Sequence, residues 1–294
     1  MADIRGSGHR VVGTAFMQCQ AMYRANGPTG LRPVGETEFA NGVAAMAASG
    51  RYGDTRVCAA IISHADLRLG GAMEEVLEAH IAASRRFRSI RHITAWDADS
   101  SLMNPLSAGP PGMLADPRFR EGFACLAPLG LLFEAWLFQP QLPELADLAG
   151  AFPDTTIVLD HCGGILGIGA YAGRREEVFA QWSRDIRELA RHENMHVKIG
   201  GLGMRINGFG FERGEDPPSS EHLAETWRPY VETCIEAFGL RRCVFESNFP
   251  VDKGSYSYSA CWNAFKRLTQ GMSASDRNAM FRGNAERLYA IDTG

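Results

Sequence analysis

Residues Thr155 to Gly164 read TTIVLDHCGG: Thr155-Thr156-Ile157-Val158-Leu159 is β-branched or apolar throughout, then stops at Asp160, His161, Cys162 and two glycines. A run without polar alternation predicts a strand buried on both faces, the habit of parallel sheets. An acid and an imidazole where that strand ends predict an α/β active site, because such folds gather their chemistry at strand C-termini. The competing reading is a core strand followed by a glycine turn. The rest of the chain decides between them.

Outward from this stretch, apolar runs alternate with amphipathic ones in the rhythm of repeated βα units. The predicted strands are Val11–Cys19, Val57–Ser63, Ser89–Trp96, Leu131–Phe138, Thr155–Leu159, Val197–Gly200 and Cys243–Ser247. Between and after them fall helices at Glu38–Ala48, Met73–Ser84, Asp116–Ala124, Leu142–Ala151, Arg174–Arg191, Ser220–Phe238, Cys261–Leu268 and about Ser275–Leu288. In Arg174–Arg191 the residues Val178, Phe179, Trp182, Ile186 and Leu189 recur at helical spacing. Two Gly/Pro-rich interruptions, Met103–Met113 and Ile206–Ser219, would be βα loops on the catalytic face of a barrel. One domain over residues 1–294 is the expected organisation, since barrels of roughly 200 to 250 residues with insertions form a single unit.

The charge balance narrows the function. Lys and Arg number 30 against 34 Asp and Glu, a net charge of −4, so no polybasic surface is available for nucleic acid or anionic lipid. Small-molecule chemistry is favoured. The seven cysteines are scattered without a C-x-x-C pair, which suggests a reducing compartment. Met1–Arg10 lacks a signal-peptide apolar run and no stretch approaches 18 apolar residues, so a cytoplasmic protein is expected.

The one formal motif, His192-Glu193-Asn194-Met195-His196, matches H-E-x-x-H. Zinc binding by that motif needs both histidines on one helix. Here Asn194 reads as a helix end and His196 as a strand start, so the motif is rejected. His161 stands where chemistry is expected: a neutral imidazole there can bind a divalent metal, act as general base toward water, or donate to a substrate carbonyl. Asp160 is expected on the opposite face as support. Gly163 and Gly164 let backbone approach a ligand or make the turn. Other strand ends repeat the pattern: Arg88, Arg91 and His92 flank one strand, Gln139 closes the next, and Lys198, Arg205 and Glu246-Ser247-Asn248 follow later ones. Buried Arg91 or Lys198 would require a substrate carboxylate or a protein acid.

The segments FPDTTIVLDHCGG, NMHVKIGGLGM and RCVFESNFPVDK, in this order and spacing, resemble the amidohydrolase-related group of the amidohydrolase superfamily. Within it they resemble the lactonase-like branch that includes 2-pyrone-4,6-dicarboxylate lactonase. The resemblance implies a TIM-type (β/α) barrel and hydrolysis of a lactone or related small carboxylic derivative, with His161 positioning or activating water. The family begins with a His-x-His strand that this sequence lacks, and Val11–Cys19 looks like the family's second strand. About seven barrel strands are therefore expected, N-terminally truncated relative to the family. Their unpaired edges would let copies associate, and Met1–Arg10, short and rich in glycine and charge, is not expected to cover the gap.

The family's Ser-Asp-Trp-Pro appears here as Ser247-Asn248-Phe249-Pro250. Asparagine cannot take a proton from water, but Asn248 can hold a water or a carbonyl. Gln139 stands where relatives are expected to carry histidine. Any metal would be one zinc or manganese ion with His161 as its one candidate ligand. Arg91, then Arg88, Lys198, Gln139 and Arg205, are the candidates for binding a carboxylate or lactone. The alternatives are a metal-dependent decarboxylase of the same superfamily and an inactive barrel remnant that binds a small acid.

Overall fold

A computed structural model describes residues 1–104, 109–214 and 216–291. Parts of both Gly/Pro-rich loops, residues 105–108 and 215, lie outside the described residues. Seven strands form one parallel sheet in chain order: β1 (Gly13–Phe16), β2 (Arg56–Ser63), β3 (Phe87–Arg91), β4 (Leu132–Ala135), β5 (Ile157–Leu159), β6 (Met195–Ile199) and β7 (Cys243–Phe245). The sheet curls into a TIM-type barrel with helices outside. Each predicted strand is present: β1, β3, β4, β5 and β7 are shorter than their predicted runs, whereas β2 and β6 begin one and two residues earlier than predicted.

The barrel wall has two chemical faces. Phe133 and Ala135, Ile157 and Leu159, Val197 and Ile199, and Cys243 and Phe245 join the main core beneath the helices. The residues one step out of phase face inward, as the period of two requires. The helix Arg175–Leu189 buries Val178, Trp182, Ile186 and Leu189, the stripe read from the sequence. It ends before His192, while His196 lies in β6, so the two histidines of the H-E-x-x-H match share no helix.

Part of Met1–Arg10 is helical and docked. Residues Ala2–Gly6 form a short helix that packs on the helix Tyr258–Leu268 following β7, and Asp3 pairs with Lys253 at 2.7 Å. Its charge supplies part of that contact. Among the described residues no ladder joins β7 to β1. The interior beside β1 and β2 is filled from the C-terminal end: buried Tyr289 packs with Ala60, Ile62, Ala15 and Met17. Among the described residues no helix is long and apolar enough to cross a membrane.

Candidate active site

The inward positions of β4 and β6 and the C-terminal ends of β5 and β7 place four ionisable side chains together: Glu134, Lys198, Asp160 and Glu246. Lys198 Nζ lies 2.6 Å from Asp160 Oδ1, 2.8 Å from Glu134 Oε2 and 3.7 Å from Glu246 Oε2. Arg91, at the end of β3, brings Nη1 to 3.5 Å from Asp160 Oδ2. Its Nε donates to Gln18 Oε1 at 3.0 Å, and Nη2 donates to the Gln18 carbonyl. Buried charges persist only when paired. The pairing explains why two cations can stand inside an apolar barrel.

Each carboxyl responds to its neighbours. Burial alone would raise Asp160, but Lys198, His161 and Arg91 outweigh it and hold the carboxyl well below the usual range. Glu134 is pushed up to about 7 by burial, with Lys198 opposing the rise and Asp160 adding to it. Lys198 is held well above the ordinary ammonium value because Asp160 and Glu134 outweigh its burial.

His161 follows β5 in a turn of four residues with positive φ, from His161 (54°) and Cys162 (53°) to Gly163 and Gly164. Non-glycine residues enter this region at a cost and persist where surroundings enforce it. Here the Trp182 indole donates to the Cys162 carbonyl at 2.7 Å, and Gly163 N–H donates to Asp160 O at 2.8 Å. Gly164 has a packing role: a Cβ there would lie 2.0 Å from the Leu137 carbonyl. The imidazole is enclosed between the Trp136 edge, 4.8 Å between centroids, and Gly201, where a Cβ would meet the ring at 2.6 Å.

Glu246 fixes this ring. Its Oε1 lies 2.5 Å from His161 Nδ1 and accepts the His161 backbone N–H at 3.2 Å. Burial opposes the imidazolium, but the Glu246 carboxylate prevails and raises the imidazole above its ordinary pKa. Burial likewise opposes ionisation of Glu246, and His161 and Lys198 hold it low. With Nδ1–H committed to a carboxylate, Nε2 becomes the proton-accepting end. His161 is only 5% exposed.

The other sequence-predicted residues divide. Lys198 and Arg91 join the cluster and are engaged by protein acids. Arg88 does not: its guanidinium donates to the carbonyls of Arg85, Phe87 and Tyr289 and ties β3 to the C-terminal segment. Gln139 braces the loop after β5 by accepting Leu166 N–H at 2.6 Å. Arg205 is exposed and lines, with Arg213, Ser101 and Gly169, a cleft of about 360 Å³. Asn248, half-buried at the end of β7, donates to Asp252 Oδ1 at 2.8 Å. Glu134 went unread although an acid within the apolar run LLFEAWLF is itself a signal of an inward polar position.

A family model described as amidohydrolase matches residues 3–291, and the chain belongs to that family. The uncharacterized protein y4mH of Sinorhizobium fredii is 34% identical over 259 residues, spanning 88% of this chain and 76% of its own length. An L-fucono-1,5-lactonase of Burkholderia multivorans is 26% identical over 234 residues, spanning 79% and 72%. The crystal structure of a B. multivorans amidohydrolase with bound zinc superposes with a TM-score of 0.69 at 25% identity, covering 87% of this chain and 79% of that one.

That bound zinc raises the question of a metal here. The residues present do not fit one. The ammonium of Lys198 already sits between Glu134 and Asp160, and position 248 offers an amide in place of an acid. Among the described residues no group of three His, Cys, Asp or Glu side chains is arranged to hold a metal ion.

Proposed function

We propose that this member of the amidohydrolase family hydrolyses a neutral, hydroxyl-bearing lactone, with His161 as general base. The observation that carries the reading is the His161–Glu246 pair, 2.5 Å from Nδ1 to carboxylate, on a ring fixed by Trp136 and Gly201. A carboxylate that holds one imidazole nitrogen as a donor leaves the other as a base and stabilises the imidazolium once it forms. His161 Nε2 takes a proton from water, the hydroxyl oxygen bonds to the lactone carbonyl carbon, and the carbon to ring-oxygen bond breaks. The imidazolium returns its proton to the departing ring oxygen, so the product is an open hydroxy acid.

Neutrality of the substrate beside His161 is supported by the buried cations there. Arg91 and Lys198 spend their charge on Asp160, Glu134 and Gln18, and Arg88 lies at the opposite end of β3. A substrate carboxylate would have to displace one of those buried pairs. The lactonase named among the relatives supports the same substrate class. Decarboxylation, the metal-dependent alternative, is the weaker reading, because position 248 offers an amide in place of an acid.

The test is a pH-stat survey of sugar-acid 1,5-lactones, 2-pyrone-4,6-dicarboxylate and hydroxybenzoates. Turnover of an uncharged lactone, abolished in His161→Asn, is expected. Decarboxylation without lactone hydrolysis, or full activity in the variant, would refute the proposal.

A further inference from the structure

Asp252 is a buried acid to which the hydrolytic step gives no role. It sits in the turn Val251–Gly254 after β7, 1% exposed. Its Oδ2 accepts the Gly203 N–H at 3.1 Å and the Tyr256 hydroxyl at 2.5 Å, and its Oδ1 accepts Asn248 Nδ2 at 2.8 Å. Its backbone N–H donates to the Asn248 carbonyl at 3.1 Å, closing a ring of two bonds between these residues. Burial pushes the carboxyl up to about 6, with the Tyr256 hydroxyl and His161 opposing the rise, so near neutral pH it is ionised and can only accept.

That polarity acts on Asn248. An amide has a donating and an accepting end, and a carboxylate can engage only the donating one. Asn248 is held at φ 51°, two residues after Glu246, with its NH₂ committed to Asp252. Its side-chain carbonyl has no hydrogen-bond partner among the described residues. We infer that Asp252 is a positioning residue that presents Asn248 carbonyl-first to the substrate. The site then takes a ring hydroxyl at this point and rejects an acceptor such as a carboxylate.

This inference rests on the lactone reading and adds a specificity determinant to it. Were the amide free to turn, it would serve donor and acceptor equally and select neither. The contact is one neutral hydrogen bond, for which a preference of roughly tenfold is expected.

The test uses L-fucono-1,5-lactam, a hydrolysis-resistant analogue, and its counterparts lacking single ring hydroxyls, titrated by calorimetry into the full chain. The wild type should bind the parent lactam about tenfold more tightly than one of the deoxy compounds. Asn248→Ala should bring that ratio close to one. Because a hydroxyl both donates and accepts, Asp252→Asn should keep that ratio but lose the wild type's rejection of the counterpart in which that hydroxyl is a ketone, an acceptor alone; the double variant should behave as Asn248→Ala, whereas a merely structural Asp252 would weaken all the lactams alike. If Asp252→Asn fails to fold, the wild type decides: binding the keto counterpart as tightly as the parent overturns the inference. Survival of the ratio in Asn248→Ala, or equal rejection of the keto counterpart by the wild type and a folded Asp252→Asn, overturns the inference and leaves the lactone reading standing. No binding of any lactam to the wild type overturns both.

Discussion

Replacing Glu246 with Gln removes a charge and keeps a shape, which isolates what the carboxylate does for His161. The new amide has two placements. With its carbonyl toward His161 it still accepts from Nδ1–H and the backbone N–H, but its NH₂ then faces the Lys198 ammonium, where Glu246 Oε2 now stands at 3.7 Å. With its NH₂ toward His161 it confronts the backbone N–H and forces Nδ1 to accept. That places the proton on Nε2 and removes the base. The first placement costs less, so the variant keeps the useful tautomer and loses the stabilisation of imidazolium. Two unit charges about 4 Å apart interact by about 4 kcal/mol at an effective dielectric near 20, and the burial of His161 offsets part of this. A fall in kcat on the order of 10²- to 10³-fold is expected, within the range for an impaired general base.

The pH profile supplies an independent sign. Activity needs neutral His161, so kcat/KM rises with pH through the imidazole pKa. Glu246 holds that pKa above its ordinary value, and in Glu246→Gln the acidic limb must move to lower pH. The assay is lactone hydrolysis followed from pH 4 to 9 in both proteins. Wild-type kcat in the variant, or an acidic limb that stays in place, would refute the assignment of His161 as a base held by Glu246.

Arg91→Ala leaves Asp160 with Lys198 as its remaining ion-pair partner and should cost roughly 2 to 3 kcal/mol in urea unfolding, less than removal of Lys198 itself; unchanged stability with a raised KM for acidic lactones would return Arg91 to substrate binding. Glu134 has a folded pKa of about 7 against an ordinary 4.5. Its protonated form is favoured by the fold, so its contribution is full below the unfolded value and is lost as pH rises through about 7. Glu134→Gln should therefore flatten the decline of stability between those values, and an identical slope in both proteins would count against the shift. Elemental analysis of the purified chain should find well under one equivalent of metal, whereas one tightly held zinc or manganese per chain would show that the Lys198 cluster rearranges to admit it.

The strands and the end of each strand where chemistry gathers were legible in the sequence because they depend on neighbours along the chain. Seven apolar runs gave seven strands, and TTIVLDHCGG placed His161 at the end of β5. The chain also displayed its inward polar residues, since a lysine in HVKIGG or a glutamate in LLFEAWLF cannot face the helix layer. Their partners could not be read there. Lys198 could have awaited a substrate or a protein acid, and only the curl of the sheet brings Glu134 from β4 and Asp160 from β5 within 3 Å of it. The same holds for Glu246 on His161, Asp252 on Asn248 and Tyr289 inside the barrel. Periodicity is a property of a few consecutive residues, whereas pairing energy depends on distance and burial. Both are set when strands far apart in sequence close around one interior.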